Sequence, residues 1–270
     1  MVAASLCSSR LPALSVHPDL LVFPPVCSES STVLPSSTMV AMEEKSRRRL
    51  RLLCLHGFRT SASVLEKQLG KWSSSIHDLL DLTFLDAPFP ATGKSDVEGM
   101  FPPPFFEWFL SNSDYTVYNG FEESMKYISD YLKQHGPFDG LLGFSQGAMI
   151  ASYLTCLQKK GLALQNIDPL RLLVVIGGAK FKSERMAFAY PGITQCSSIH
   201  FLGEKDFLLP YGQDLVKSFY NPLVINHRYG HTIPRLDDEA TSQVVGHLLQ
   251  VIDQISKDFK ETVEEIHISV

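Results

Sequence analysis

No apolar run among the 270 residues approaches the ~20 needed to cross a bilayer, so a transmembrane helix is excluded. Charge excess is missing too. A formal net charge of -5 and a pI near 6.0 offer no basic surface of the kind that nucleic acid or an anionic membrane selects. Cys7, Cys27, Cys54, Cys156 and Cys196 are odd in number, show no Cys-x-x-Cys spacing, and stand near no His cluster at metal-ligand spacing. A disulfide scaffold and a legible metal site are thereby excluded, and reduced thiols in an intracellular protein are expected. Cys54 lies in an apolar run and reads as packing. What is present, 44% hydrophobic and 20% charged residues, suits one large α/β core.

Residues 1–42 have few charges and neither helical nor strand periodicity, and are rich in Ser, Pro and small apolar residues. Two readings stay open. A Ser-rich, acidic-poor start resembles a transit peptide that would send the chain to a plastid, although Arg10 is the sole Arg before Arg47. The alternative is a disordered extension on a cytoplasmic protein, with Met39 or Met42 nearer the functional start. The start does not make a convincing secretory signal, because the apolar stretch 20–23 is short and is cut off by Pro24-Pro25. The expected layout is an extension at 1–45, one domain at 46–260 and a tail at 261–270. The basic run 45–51 reads as the solvated edge of that domain rather than a localisation or phosphate-binding signal.

The remainder alternates. Apolar runs at 50–55, 82–85, 138–144, 172–176, 198–202 and 223–226 have the length of buried strands, and several end in Gly or Asp clusters. Helical periodicity fills 62–72, with Thr60 or Ser61 as its cap, and then 120–135, 146–159 and 237–259. Strands separated by helical patterns make βαβ units, which predicts an α/β fold with a mostly parallel sheet of about six strands and helices on both faces. Ligands in such sheets bind beyond the carboxyl ends of the strands. The stretch 89–118 is too long for an incidental connector, and its aromatics argue against disorder, so it is expected to form a functional lid.

The chemistry gathers at Gly143-Phe144-Ser145-Gln146-Gly147, a Gly-x-Ser-x-Gly pattern between a strand and a helix. A sharp turn there lifts the Ser145 hydroxyl over the sheet edge. A serine hydroxyl is a poor nucleophile at neutral pH and needs a base, itself oriented by a third group. In α/β-hydrolases the order along the chain is Ser, Asp or Glu, then His, each on a loop after a strand. Asp206, with Glu204 in reserve, follows the strand at 198–202, and His231 follows the one at 223–226. Asp168 and Asp214 are misplaced for the acid, and His227, His247 and His267 for the base. The oxyanion needs two backbone N–H donors, expected from Gln146 and, in the turn His56-Gly57-Phe58, from Phe58. His56 itself reads as a brace for that turn. Phe101, Phe105, Phe106 and Trp108, around a Pro-Pro-Pro run, are expected to wall or cover the substrate pocket, with core packing as the alternative.

Taken together, Leu53-Cys54-Leu55-His56-Gly57-Phe58-Arg59 with Gln68-Leu69, Leu85-Asp86-Ala87-Pro88, the prolines before Glu107-Trp108, the serine motif, Gly203-Glu204-Lys205-Asp206 and Gly230-His231 resemble the eukaryotic FSH family of serine hydrolases. The resemblance covers residues 50–252. It implies an α/β-hydrolase fold and hydrolysis of carboxylic esters, often with alkyl chains, by Ser145, Asp206 and His231 through an acyl-enzyme. It implies no cofactor or metal, and a small-molecule ester as partner. Thioester cleavage, as in some fungal members, and a non-catalytic receptor on the same fold are the alternatives. Some plant members carry a dihydrofolate-reductase label, yet no folate or dinucleotide fingerprint stands in this chain.

Overall fold

The computed structural model describes residues 48–268. The expectations for the N-terminal extension, Cys7 and Cys27 lie outside the described residues. Along the chain the strands are β1 (Leu50–Leu55), β2 (Leu80–Leu85), the short β3 (Phe89–Pro90), β4 (Phe106–Glu107), β5 (Leu110–Ser111) and β6 (Tyr118–Asn119), then β7 (Gly140–Phe144), β8 (Leu172–Ile176), β9 (Ser197–Gly203) and β10 (Leu223–His227). The helices are α1 (Ala62–Leu69), α2 (Ser74–His77), α3 (Phe121–His135), α4 (Gln146–Lys159), α5 (Glu184–Ala187), α6 (Leu209–Val216) and α7 (Asp238–Ile268). Among the described residues no helix is long and apolar enough to cross a membrane.

Six parallel strands form the main sheet in the order β10-β9-β8-β7-β1-β2. Their near-continuous apolar sequences follow from burial on both faces. On β1, Leu53 and Leu55 join one core with Leu141, Val175 and the helices α3 and α4. Leu52 and Cys54 face the other way, into a core with Leu142, Val174, Phe201 and the helices α1, α2 and α7. The chain runs from β1 outward to β2, then returns to lay β7 against the opposite edge of β1. That reversal is a topological switch point, where the loops after two adjacent strands part and leave a crevice. The turn after β1 and the turn after β7 flank it.

The differences from the expected elements have local causes. Ser61 is the cap of α1, accepting the Val64 N–H, and the helix stops at Gly70. Trp72, expected in that helix, is buried through its own bond from Nε1 to the Pro234 carbonyl, 3.1 Å. The closing helix α7 runs past 259 to Ile268, into the expected tail. Residues 260–264 contain no Gly or Pro, so nothing breaks the helix even though Phe259 is already exposed. The basic run is tied to the sheet edge: Arg48 pairs with Asp139 at 2.6 Å, and Arg49 donates to the His77 and Leu80 carbonyls. Cys54, Cys156 and Cys196 are free and buried, and burial pushes their thiols up.

One buried group couples this core to pH. His200 on β9 is fully buried against Phe219, its Nε2 3.2 Å from the Ser198 hydroxyl and its Nδ1 without a hydrogen-bond partner. Burial pushes its pKa from 6.5 down to about 3. The unfolded chain takes up this proton near pH 6.5 and the folded chain near pH 3. The contribution to stability is therefore complete above pH 6.5 and lost as pH falls toward 3. Moving from pH 7 to pH 5 is expected to cost about 2 kcal/mol at this site. Urea denaturation of the parent and of His200→Gln at both pH values checks it; an equal loss in both proteins would rule His200 out.

Candidate active site

The turn between β7 and α4 is held by a bare backbone contact. A Cβ at Gly147 would lie 2.1 Å from the Leu55 carbonyl oxygen and 2.7 Å from that of His56, so the first turn of α4 presses directly on the end of β1. Ser145, between strand and helix, takes φ 54 and ψ -116, outside the ordinary regions for an L-residue. Such a backbone costs about 1–3 kcal/mol and persists only where its surroundings dictate it. Here the Ser145 N–H donates to the Ile176 carbonyl at 3.0 Å, and the Ser145 carbonyl accepts from Met149 at 3.0 Å. The hydroxyl is thereby turned off the end of β7 toward the crevice.

Two further strand ends bring Asp206 and His231 to it. His231 Nε2 lies 2.9 Å from Ser145 Oγ, and His231 Nδ1 lies 2.8 Å from Asp206 Oδ2. Asp206 is buried, and its other oxygen accepts the Leu208 N–H at 2.8 Å, which fixes the carboxylate plane. The carboxylate accepts from Nδ1–H, leaving Nε2 as the acceptor toward the serine. The His231 ring is stacked on Phe144 at 5.1 Å between centroids and meets Phe207 at 4.8 Å. Gly177, seen in the sequence only as a strand end, guards this pair. It has φ 56, and a Cβ there would sit 2.9 Å from His231 Cε1 and 3.1 Å from Asp206 Oδ2. Glu204, the reserve acid, is exposed to solvent. The base that bonds Ser145 is His231 and not His227, whose Nδ1 is buried and unpartnered; burial lowers the His227 pKa, partly opposed by Asp206 and Glu204.

The turn after β1 lies against the serine. A Cβ at Gly57 would be 3.0 Å from the Phe144 ring and 3.5 Å from Ser145 Cβ. His56 braces this turn from inside: Nδ1 donates to the Gly57 carbonyl at 2.7 Å, and Nε2 accepts the Ala87 N–H at 3.0 Å. Both nitrogens are thus used by one neutral tautomer. Burial pushes its pKa down to about 4, against the opposing effects of the Gly57 bond and Asp86. The Asp86 carboxylate meanwhile accepts the Ala62 N–H at the start of α1, 2.7 Å.

The stretch 89–118 does reach the cavity at Ser145, through Phe109, Ser111, Tyr115 and Tyr118, but the four aromatics expected to line it do not. Trp108 is 0% exposed and borders no part of the cavity at Ser145. Its Nε1–H donates to the His56 carbonyl at 2.8 Å, its N–H donates to Gln146 Oε1 at 3.2 Å, and its carbonyl accepts from Ser124 Oγ at 2.6 Å. Gln146 Nε2 closes the link by donating to the Phe109 carbonyl at 2.9 Å. Trp108 is a rivet joining the turn after β1, the start of α4 and α3. Phe101, Phe105 and Phe106 likewise do not line the cavity: the Phe106 N–H donates to the Thr60 carbonyl at 2.7 Å and its side chain packs on the core, and the Phe105 carbonyl accepts from Ala91 at 2.9 Å. Satisfying backbone and indole donors, rather than covering a ligand, sets their positions. The cavity, about 430 Å³, is walled instead by Phe58, Phe109, Tyr115, Tyr118, Met149 and Phe207, together with Ser145 and Gln146. Tyr115 and Phe207 belong to loops and Tyr118 to the two-residue strand β6, all without hydrophobic periodicity, which left them without a signal in the sequence.

A serine on a strained strand-to-helix turn, at the switch point of a parallel sheet and within reach of a histidine and a buried aspartate, defines the α/β-hydrolase class. Residues 43–243 match the family model described as "Serine hydrolase (FSH1)", and the chain belongs to that family. It is a carboxylesterase-type serine hydrolase. Esterase OVCA2 of Xenopus tropicalis is 28% identical over 204 residues, covering 70% of this chain and 87% of that protein. A protein of Schizosaccharomyces pombe named dihydrofolate reductase is 30% identical over 207 residues, covering 69% of this chain but only 44% of its own length. The chain thus spans less than half of that relative, whose name describes the whole of it. Among solved structures, esterase PE8 superposes with a TM-score of 0.52 at 18% identity, covering 76% of this chain and 94% of its own. Arabidopsis thaliana SOBER1 does so at 0.51 and 16%, covering 76% and 99%. These two likenesses are of fold.

The rivet role of Trp108 is testable. Trp108→Phe keeps the ring and removes the indole N–H, leaving the buried His56 carbonyl short of a partner. Stability is expected to fall by about 1–3 kcal/mol by chemical denaturation, with the preference among acyl chain lengths unchanged. A shifted preference at undiminished stability would restore the lid assignment.

Proposed function

We propose that the chain hydrolyses carboxylic esters of apolar acyl groups through a Ser145–His231–Asp206 triad. His231 Nε2 takes the Ser145 proton as Oγ attacks the ester carbonyl carbon, and Asp206 holds the imidazole and stabilises its charge. The tetrahedral oxyanion is met by the N–H groups of Phe58 and Gln146. The carbon–oxygen bond to the alcohol then breaks, and the alcohol leaves with the proton held on His231. Water, deprotonated by the same His231, attacks the acyl-Ser145 ester and releases the acid. The observation that carries this reading is the continuous relay of 2.9 Å and 2.8 Å from Ser145 to His231 to Asp206. The contact of the Gly57 turn with Ser145 supports the oxyanion assignment, since it brings the Phe58 segment to the nucleophile. The aromatic cavity walls support an apolar acyl group. A substrate of this kind is a small molecule, and no step calls for a metal or cofactor.

A fluorophosphonate probe is expected to add once to the full chain, by intact mass, and not to Ser145→Ala. Asp206→Asn is expected to lower kcat by roughly 10³- to 10⁴-fold. An undiminished adduct on Ser145→Ala, or a near-native Asp206→Asn, would overturn the triad. Across p-nitrophenyl esters of rising length, kcat/KM is expected to climb about fourfold per methylene until the cavity is filled, from about 0.8 kcal/mol per buried CH₂. A flat series would remove the apolar-acyl assignment while leaving the triad standing.

A further inference from the structure

The wall of the Ser145 cavity also carries two lysines from the segment after β8, Lys180 and Lys182. Their electrostatic partners differ. Lys180 Nζ lies 2.9 Å from Asp214 Oδ2, so its charge is countered within the protein. Lys182, among the described residues, forms no ion pair: its Nζ stands 4.5 Å from the Tyr211 ring centroid and 5.5 Å from that of Tyr115, with the Tyr211 hydroxyl at 3.4 Å. Aromatic faces hold an ammonium in place without neutralising it. The backbone beneath is pinned as well, the Lys182 N–H donating to the Tyr118 hydroxyl at 3.1 Å and that hydroxyl donating to the Tyr115 carbonyl. Tyr115, Tyr118 and Tyr211 all border the same cavity as Ser145. Two separate stretches of chain thus hold one uncountered, solvent-exposed cation at the edge of a largely aromatic and aliphatic cavity.

A lysine kept only for solubility needs no such cradle, since its ammonium is best served by free water. A neutral substrate gains nothing from it, whereas an anion on the substrate gains a charge-assisted contact beside low-dielectric walls. We propose that the substrate carries an anionic group, carboxylate or phosphate, remote from the scissile carbonyl, and that Lys182 is the specificity-determining residue that binds it. This rests on the ester-hydrolase reading above and adds a substrate class to it.

Two matched pairs test the idea on the full chain. The first is p-nitrophenyl hexanoate against the p-nitrophenyl half-ester of adipic acid, which adds a terminal carboxylate to the acyl group. The second is the hexanoyl thioester of N-acetylcysteamine against hexanoyl-coenzyme A, which adds phosphates to the leaving group. The parent is expected to favour the charged member of one pair. Lys182→Met should reduce that preference about fivefold, through KM, and Lys182→Arg should retain it. The responding pair tells which side of the ester carries the anion. Preferences unmoved by Lys182→Met in both pairs, with neutral esters still cleaved, would overturn this proposal alone. If neither neutral member is cleaved and no probe adds to Ser145, the hydrolase reading fails. Lys182 is then judged by calorimetry with monomethyl adipate and methyl hexanoate, where equal affinities in parent and Lys182→Met would overturn its role.

Discussion

The contact on which the rest of this molecule depends is that of Gly147 with the carbonyls of Leu55 and His56. No side chain fits there, since a Cβ would stand 2.1 Å from the Leu55 oxygen. The start of α4 consequently sits directly on the end of β1, and two strand-end turns meet at one point of the sheet. From this follow the strained backbone of Ser145, the approach of the Gly57 turn to its hydroxyl, and the crevice between the loops. Packing at backbone distance leaves little room to relax, which is how a costly φ can be kept in place.

Around that contact the polar groups form a closed set. His56 uses both ring nitrogens on the backbone, Trp108 bonds the His56 carbonyl, and Gln146 clasps the backbone of Trp108 and Phe109. Ser124 ties the same segment to α3. Each of these groups is buried, so each would be costly unpaired, and together they hold the turn after β1 and the elbow in one register. The histidine of the relay is confined differently, between the rings of Phe144 and Phe207 and against the bare face of Gly177. Polar satisfaction fixes the walls, and apolar contact confines the His231 ring.

The cavity then divides in character. Near Ser145 it is aromatic and aliphatic; at Lys182 it holds a cation on tyrosine faces. Both features come from the segments that follow the strands, α4 and α6 among them, while the sheet lies beneath. Family membership accounts for the hydrolytic class.

Much of this was legible in the amino-acid sequence because it rests on local chemistry. Strand-length apolar runs, alternating with amphipathic helices, specify a parallel sheet by burial on two faces, and Gly143, Ser145 and Gly147 mark a turn only such residues can make. The order of Asp206 and His231 after successive strands carried the candidate relay, since strand order along the chain dictates which loops share an edge. Whether an aromatic packs inward or faces a ligand is decided by partners remote in sequence. Trp108 found His56, Gln146 and Ser124, and so became a rivet rather than a pocket wall. Gly177 guarding the His–Asp pair, Phe207 tilted against His231, and Lys182 cradled by Tyr115 and Tyr211 also arise only when segments remote in sequence meet. Periodicity and motif spacing record what a residue does with its near neighbours, and tertiary packing alone decides what it does with distant ones.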